Sequence, residues 1–192
     1  MELYSYEVEG DPELLKLKIG GDWIVRDRVP AEQLVQPLEA IIQRAIRQRI
    51  TLDLRQVERD VVVARGRYHS SPLPDHAEDE IEIYAREIAK EDDDRGGGAG
   101  VFPHFLRSME KWIGRPIVNE VDLPPKKNIA WHYNRREAPT EKARRDDREG
   151  ALVLKHLEEQ TGLTFTREKR SIRILFVQRA VASKQLFMKS GK

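Results

Sequence analysis

The sequence contains no cysteine. That absence excludes disulfides, thiolate nucleophiles, Cys-ligated structural zinc and iron–sulfur clusters. It leaves the compartment open, because cytosolic and exported proteins alike can do without the residue. No stretch approaches 18 apolar residues, so no segment reads as a membrane-spanning helix and no direct membrane insertion is expected. Net charge is almost absent as well: Lys+Arg 34 against Asp+Glu 33 leaves +1 at pH 7. Domains held on nucleic acid by bulk charge are usually strongly basic, so a nucleic-acid partner is not expected. The N-terminal Met-Glu-Leu-Tyr-Ser-Tyr-Glu has neither a basic n-region nor an apolar h-region and does not read as a signal peptide. The expectation is a cytoplasmic protein, or a piece excised from something larger.

What is present suffices for a folded core. Of 192 residues, 39% are apolar and cluster locally, while 35% are charged and imply a heavily solvated surface. This length fits one α+β domain, or two lobes (1–90 and 101–180) joined by a flexible connector at 91–100, where Glu91-Asp92-Asp93-Asp94 runs into Gly96-Gly97-Gly98-Ala99-Gly100.

Periodicity supplies the elements. Leu15-Lys16-Leu17-Lys18-Ile19 alternates as a strand, and Trp23-Ile24-Val25 reads as a second. Pro30 opens a helix whose apolar stripe is Leu34, Leu38, Ile41, Ile42, Ala45 and Ile46; Pro37 inside it predicts a kink, or a start near Gln36. Ile50-Thr51-Leu52-Asp53-Leu54 alternates. Glu58-Arg59-Asp60 reads as a polar break, and Val61-Val62-Val63-Ala64 as the returning strand of a hairpin. Ile81 and Ile83 mark a strand after a Pro-rich loop. A helix carrying Phe102, Phe105, Leu106, Met109, Trp112 and Ile113 ends at Gly114. Strands follow at Pro116-Ile117-Val118 and at residues 129–133, then a charged stretch at 134–149. The last helix faces Ala151, Leu152, Leu154 and Leu157 inward, ends at Gly162 and leads into a hairpin of 163–166 and 172–178, bent at Arg167 to Arg170. A helix-plus-hairpin unit thus recurs about three times, with antiparallel or mixed sheets packed on helices. Residues 42–64 can be laid over 154–176, as duplication or as chance reuse of a common motif.

Chemistry is sparse. The glycine run before a helix suggests a phosphate cradle, but Val101-Phe102-Pro103 stands where a Walker loop needs Gly-Lys-Ser/Thr, and the preceding acids repel phosphate; a linker is the better reading. No two of His69, His76, His104, His132 and His156 are spaced to share a helix face, although His104, His132 and His156 sit in different units and are free to meet in space. Ser70 and Ser71 lie in no Gly-x-Ser-x-Gly elbow. The basic clusters Arg44, Arg47, Arg49 and Arg135, Arg136, Arg144, Arg145, Arg148 read as solvated faces, the second interleaved with Glu141, Asp146, Asp147 and Glu149. Trp112, Trp131, Tyr133 and Tyr84 read as core rather than as an aromatic contact surface. No catalytic, cofactor-binding or metal residue is assigned, no cofactor is expected, and the binding residues stay unassigned.

Three stretches together resemble an uncharacterised bacterial domain family, common in soil bacteria and usually found in exported or membrane-tethered proteins. Residues 32–65, with Glu58, Arg59, Val61, Val63 and Ala64, are similar to its "E-R-x-V-Y-x-L-x-x-A" segment. Gly114-Arg115-Pro116-Ile117-Val118-Asn119-Glu120-Val121-Asp122-Leu123 resembles "G-R-P-V-V-D-x-T-G-L". Leu157-Glu158-Glu159-Gln160-Thr161-Gly162-Leu163 resembles "L-x-x-Q-L-G-L". The sequence departs from the family at Asn119-Glu120 and Pro124-Pro125, where an Asp and a glycine turn are preferred. The second half is also similar to the short N-terminal domain of secretins and TonB-dependent receptors, a module that contacts partner proteins in the periplasm. The resemblance implies an extracytoplasmic compartment and another protein as partner. It transfers no catalytic residue. The expectation is a non-catalytic interaction or sensor module, not an enzyme. The alternatives are a small-molecule or glycan binder, and after that a hydrolase with an unrecognised site.

Overall fold

The computed structural model describes residues 7–20, 24, 29–74, 76–77, 80–86, 94–139 and 147–180. Their elements run β1 (Val8–Gly10), α1 (Pro12–Leu15), α2 (Ala31–Ile46), β2 (Ile50–Arg67), β3 (Glu80–Ile83), β4 (Arg95–Gly100), α3 (Phe102–Ile113), β5 (Ile117–Leu123), β6 (Ile129–Asn134), α4 (Asp147–Thr161) and β7 (Thr164–Arg179). The fold is α+β with mixed sheets. The chain forms two compact units, Met1–Val57 with Ile172–Lys192, and Glu58–Ser171.

In the first unit β7 lies between β1 and β2. The pairing of β1 with β7 is parallel, Val8 opposite Leu175 and Gly10 opposite Val177. A small core of Leu14, Ile50, Leu52 and Leu175 is covered by Val35, Leu38, Ile42 and Ile46 of α2. Helix α2 starts at Ala31 and continues through Pro37, so the proline does not delay its start. It ends at Arg47, whose φ of 55° is left-handed.

In the second unit β2 runs beside β7 and, on its other side, parallel to β5, Val62 opposite Ile117. A separate sheet has the order β3-β6-β4, β3 parallel and β4 antiparallel to β6. The core takes Val62, Ala64 and Phe165 from one sheet, Ile81, Ile83, Ile129 and Trp131 from the other, and fills the space with α3 and α4. Phe105, Met109, Trp112 and Leu157 are fully buried there; burial of each such side chain contributes about 1.5–3 kcal/mol. Gly114 (φ 73°) and Gly162 (φ 65°) end α3 and α4 in the left-handed conformation that glycine adopts without strain.

Several expectations need correction. Neither predicted hairpin exists: β2 and β7 are single strands of 18 and 16 residues. The polar stretches read as turns lie inside strands, where their charges pair laterally. Lys169 Nζ is 3.8 Å from Glu58 Oε1, and Arg170 Nε is 3.7 Å from Glu120 Oε1. Nor do β5 and β6 pair with each other; they belong to different sheets. No long helix is therefore followed by the expected hairpin. Leu15 ends α1, and residues 17–20 join no sheet despite their alternation. Of the strand expected at Trp23-Ile24-Val25, Trp23 and Val25 lie outside the described residues. Residues 95–100 of the expected connector are strand β4, and the two units divide at 57/58 and 171/172 rather than at 91–100. Residues 91–93 lie outside the described residues.

Candidate functional site

The glycine run is explained by what lies across it. Gly96 faces Tyr133 and Gly98 faces Trp131 in the β4–β6 register. A Cβ on Gly96 would stand 2.5 Å from Tyr133 Cε2, and one on Gly98 2.5 Å from Trp131 Cζ2. At Gly100 it would meet His104 Nδ1 at 2.8 Å. The aromatic rings occupy the places of the missing side chains, a known way of stabilising glycine in a sheet. Trp131 in turn meets His104 (centroids 5.6 Å) and Phe105 (5.8 Å), and Tyr133 meets Trp112 (5.3 Å). The run is a platform for rings, not a phosphate cradle.

The opposite face of the same sheet holds its polar residues. Glu82 is only 6% exposed, and among the described residues its Oε2 accepts no hydrogen bond. His76 Nε2 lies 3.4 Å from that oxygen and an Arg95 guanidinium nitrogen 3.6 Å. Arg95 is also 3.3 Å from His76 Nε2, while His76 Nδ1 is 3.1 Å from Pro74 O. This geometry suits a donor Nδ1–H and an acceptor Nε2. Beside the group, Ala77 N–H donates to Glu80 Oε2 (3.3 Å), and His132 Nε2 is 3.8 Å from Glu80 Oε1. Among the described residues no three His, Asp or Glu groups are placed to hold a metal ion.

The remaining buried polar side chains bind backbone. Gln160 Nε2 donates to Glu82 O, and Gln160 Oε1 accepts from Glu82 N–H, both at 2.9 Å. His156 Nδ1 lies 3.1 Å from Tyr84 O, and its ring stacks on Tyr84 with centroids 3.9 Å apart. Desolvation, and then the charges of Glu159 and Glu82, push the Tyr84 hydroxyl up from its ordinary value. Glu110 Oε1 accepts from Ile117 N–H (3.0 Å) and Glu158 Oε1 from Phe165 N–H (2.9 Å). In the first unit Glu39 Oε2 accepts from Leu52 N–H (2.7 Å) and Gln43 Nε2 donates to Ile50 O (2.8 Å).

The Gly-Arg-Pro block has a structural role of the same kind. Gly114 caps α3 through its N–H to Glu110 O (2.8 Å). Arg115 donates to Asp147 Oδ1 (2.9 Å) at the start of α4, and Pro116 O accepts from Val62 N–H (2.9 Å). The Arg115 hydrogen bond, with the charge of Arg167, holds the Asp147 carboxyl below its ordinary value. A second ionic group links three strands: Arg65 bonds Glu120 (2.9 Å), Thr166 (2.8 Å) and Glu168. Hydrogen bonds from Arg65 and Thr166 hold Glu168 down to about 2.

Of the histidines singled out, His104 packs on Trp131, His132 faces Glu80 and His156 stacks on Tyr84, each in separate company. Trp112, Trp131 and Tyr84 are core, as their positions suggested. Arg44, Arg47, Arg49 and Arg148 are exposed, and Arg135 and Arg136 lie within 4.0 Å of Asp94; Arg144 and Arg145 lie outside the described residues. Sequence reasoning missed the group of His76, Glu82 and Arg95. Its one signal was the acid between Ile81 and Ile83, which alternation sends to the face opposite the core.

Large apolar side chains are exposed mainly in the first unit: Leu15, Leu17, Ile19, Ile24 and Ile41, with Ile24 at 92%. No described helix is long and apolar enough to cross a membrane.

An α+β domain whose buried polar groups are largely engaged in fastening helices to strand edges is the class that the fold and its polar groups define. The match to the family model described as "Protein of unknown function (DUF3738)" covers residues 25–180, and the chain belongs to that family. No curated protein and no solved structure shows a significant match.

Proposed function

We propose that this chain is a non-catalytic protein-interaction or sensor module, part of a larger exported or membrane-associated protein. The observation that carries the reading is the set of exposed apolar side chains at Leu15, Leu17, Ile19, Ile24 and Ile41. Apolar surface rimmed by polar residues is characteristic of partner contacts. Here Lys16 and Lys18 alternate with the leucines and isoleucine, and the segment has the pattern of a strand without a sheet. The use of Gln160, His156, Glu110 and Glu39 as backbone partners supports a scaffold role for the buried polar residues over a catalytic one. The similarity of the second half to the short N-terminal domain of secretins and TonB-dependent receptors supports a protein partner and an extracytoplasmic setting.

The test is site-specific photo-crosslinking in the parent organism from positions 17 and 19, with exposed Arg148 as the control position. A recurrent protein adduct at 17 and 19, absent at 148, is expected. No adduct, together with a melting temperature raised by a metabolite or polysaccharide, overturns the reading in favour of a ligand-binding domain, because a ligand of the folded state stabilises it by mass action.

A further inference from the structure

A buried carboxylate oxygen without a hydrogen bond costs the folded chain free energy. Among the described residues Glu82 Oε2 is such an atom. Two groups cover it without completing a bond to it. His76, its side chain 15% exposed, brings Nε2 to 3.4 Å, and the half-exposed Arg95 brings a guanidinium nitrogen to 3.6 Å. His76 is held at its other nitrogen, where Nδ1 lies 3.1 Å from Pro74 O, a carbonyl that can only accept. In the neutral ring the proton is therefore on Nδ1. The Nε2 lone pair accepts from Arg95 over 3.3 Å and has nothing to give to Glu82. Among the described residues the charged and titratable groups around His76 are Glu80 and Glu82 of β3, Arg95 of β4 and His132 of β6. Glu80 accepts from Ala77 N–H and lies 3.8 Å from His132 Nε2. From α4 the neutral Gln160 reaches the Glu82 backbone. Asp75, Glu78 and Asp79 lie outside the described residues.

We propose that His76 is an acid-driven latch: a proton taken up at Nε2 supplies the hydrogen bond that Glu82 Oε2 lacks, and Arg95 is released from the ring. The proposal goes beyond the interaction-module reading and does not depend on it. Imidazole is the side chain that ordinarily changes charge between about pH 5 and 8. Neutral, His76 offers Glu82 only a lone pair. Protonated, both ring nitrogens donate, Nδ1–H to Pro74 O as before and Nε2–H toward Oε2. A charge-assisted bond then stands where the oxygen had no donor. The same proton removes the acceptor that holds Arg95 and sets two cations 3.3 Å apart. Arg95 is the one free to turn away, because its side chain is half-exposed while the imidazole is tied to Pro74. Acid therefore fastens residues 74–77 to the buried carboxylate of β3 and turns a cation on the end strand β4 toward solvent. The turn's own bonds are local: His76 N–H donates to Leu73 O (3.1 Å) and Ala77 N–H to Glu80 Oε2 (3.3 Å).

The experiment follows the full chain by nuclear magnetic resonance from about pH 8 to about pH 5.5, across the ordinary range of imidazole. At the upper end the His76 ring is expected to carry a proton on Nδ1 and none on Nε2; at the lower end, a proton on both. Protection of the His76 and Ala77 amides against exchange, corrected for the intrinsic effect of pH, is expected to rise about tenfold or more, the size of one hydrogen bond to a charged group. Arg95→Gln removes the competing cation and moves the midpoint of that rise to higher pH. Glu82→Gln removes the attracting charge, moves the midpoint lower and shrinks the rise. His76→Gln abolishes it. A proton on Nε2 at the upper end, or protection that stays flat, overturns the latch. So does a midpoint that moves down in Arg95→Gln, or a rise that survives His76→Gln, which assigns it to His132 and Glu80. The ring protons and the exchange are read on the unaltered chain, so they decide the matter even where a variant does not fold.

Discussion

Gln160 and Glu82 exchange two hydrogen bonds of 2.9 Å, the arrangement of adjacent strands, although Gln160 is a helix side chain. Both residues are buried, Gln160 at 2% and Glu82 at 6% exposure. Gln160→Leu removes both bonds and leaves a buried N–H and a buried C=O without partners. Each such group costs about 1–3 kcal/mol, so we expect chemical denaturation to show a loss of about 2–6 kcal/mol. Gln160→Glu keeps an acceptor for the Glu82 N–H but turns a carboxylate toward Glu82 O. Its deficit shrinks as the pH falls and the carboxyl regains a proton to donate.

Glu168 makes the acid limb of stability testable. Its carboxyl is held at about 2 by hydrogen bonds from Arg65 and Thr166, against an ordinary value of 4.5. A depressed carboxylate contributes stability that is complete above the unfolded value and is lost as pH falls through the folded one. Wild type is therefore expected to exceed Glu168→Gln at pH 6, with the difference closing between pH 4.5 and pH 2. Urea midpoints across that range check it, and a difference that persists at pH 2 contradicts it.

Gly98→Ala tests the ring platform. The new methyl lies 2.5 Å from Trp131 Cζ2, so the indole must move. Overpacking of this kind costs about 1–3 kcal/mol. The expected signature is a lowered denaturation midpoint together with altered near-ultraviolet tryptophan dichroism. At the exposed Gly20, where nothing lies within 4 Å, the same substitution moves neither observable.

Leu157 is fully buried in the second unit's core with Leu154, Leu163 and Phe165. Leu157→Ala is expected to cost about 2–5 kcal/mol. Gly162, at φ 65°, should lose about 1–2 kcal/mol on replacement by Ala, from the forced left-handed backbone. A Leu157→Ala protein as stable as the parent would mean that α4 does not dock on this core.

The helices and the core were legible because their signal is carried by side chains. Phe102, Phe105, Leu106, Met109, Trp112 and Ile113 recur at helical spacing, and all six are buried. Within the other predicted apolar faces, Ile41, Ala45 and Ala151 are exposed, and Leu38, Ile42 and Ile46 are only half-buried. Strand β4 was illegible because glycine carries no periodicity; its evidence lies in Trp131 and Tyr133, some 35 residues further on. Long strands were misread as hairpins because charges at Glu58 and at Arg167 to Arg170 mimic turns, and cross-strand ion pairs cannot be read from one strand. The group of His76, Glu82 and Arg95 was hidden for the same reason: pairing across sequence distance, not spacing, assembles it.

The strands β2 and β7 each pass from one unit into the other, and this sets an order of events during synthesis. The second unit is one uninterrupted stretch of chain, Glu58–Ser171. It emerges from the ribosome whole and can close its core while the remaining residues are still being added. The first unit is written in two instalments. Ile50 and Leu52 appear early, yet Leu175, their partner in the core, comes after the entire second unit. Until then α2 and the first half of β2 lack β7 beside them, with apolar side chains uncovered. The interval is one in which a holding chaperone would find its substrate, and the last strand to be made is the one that ends it.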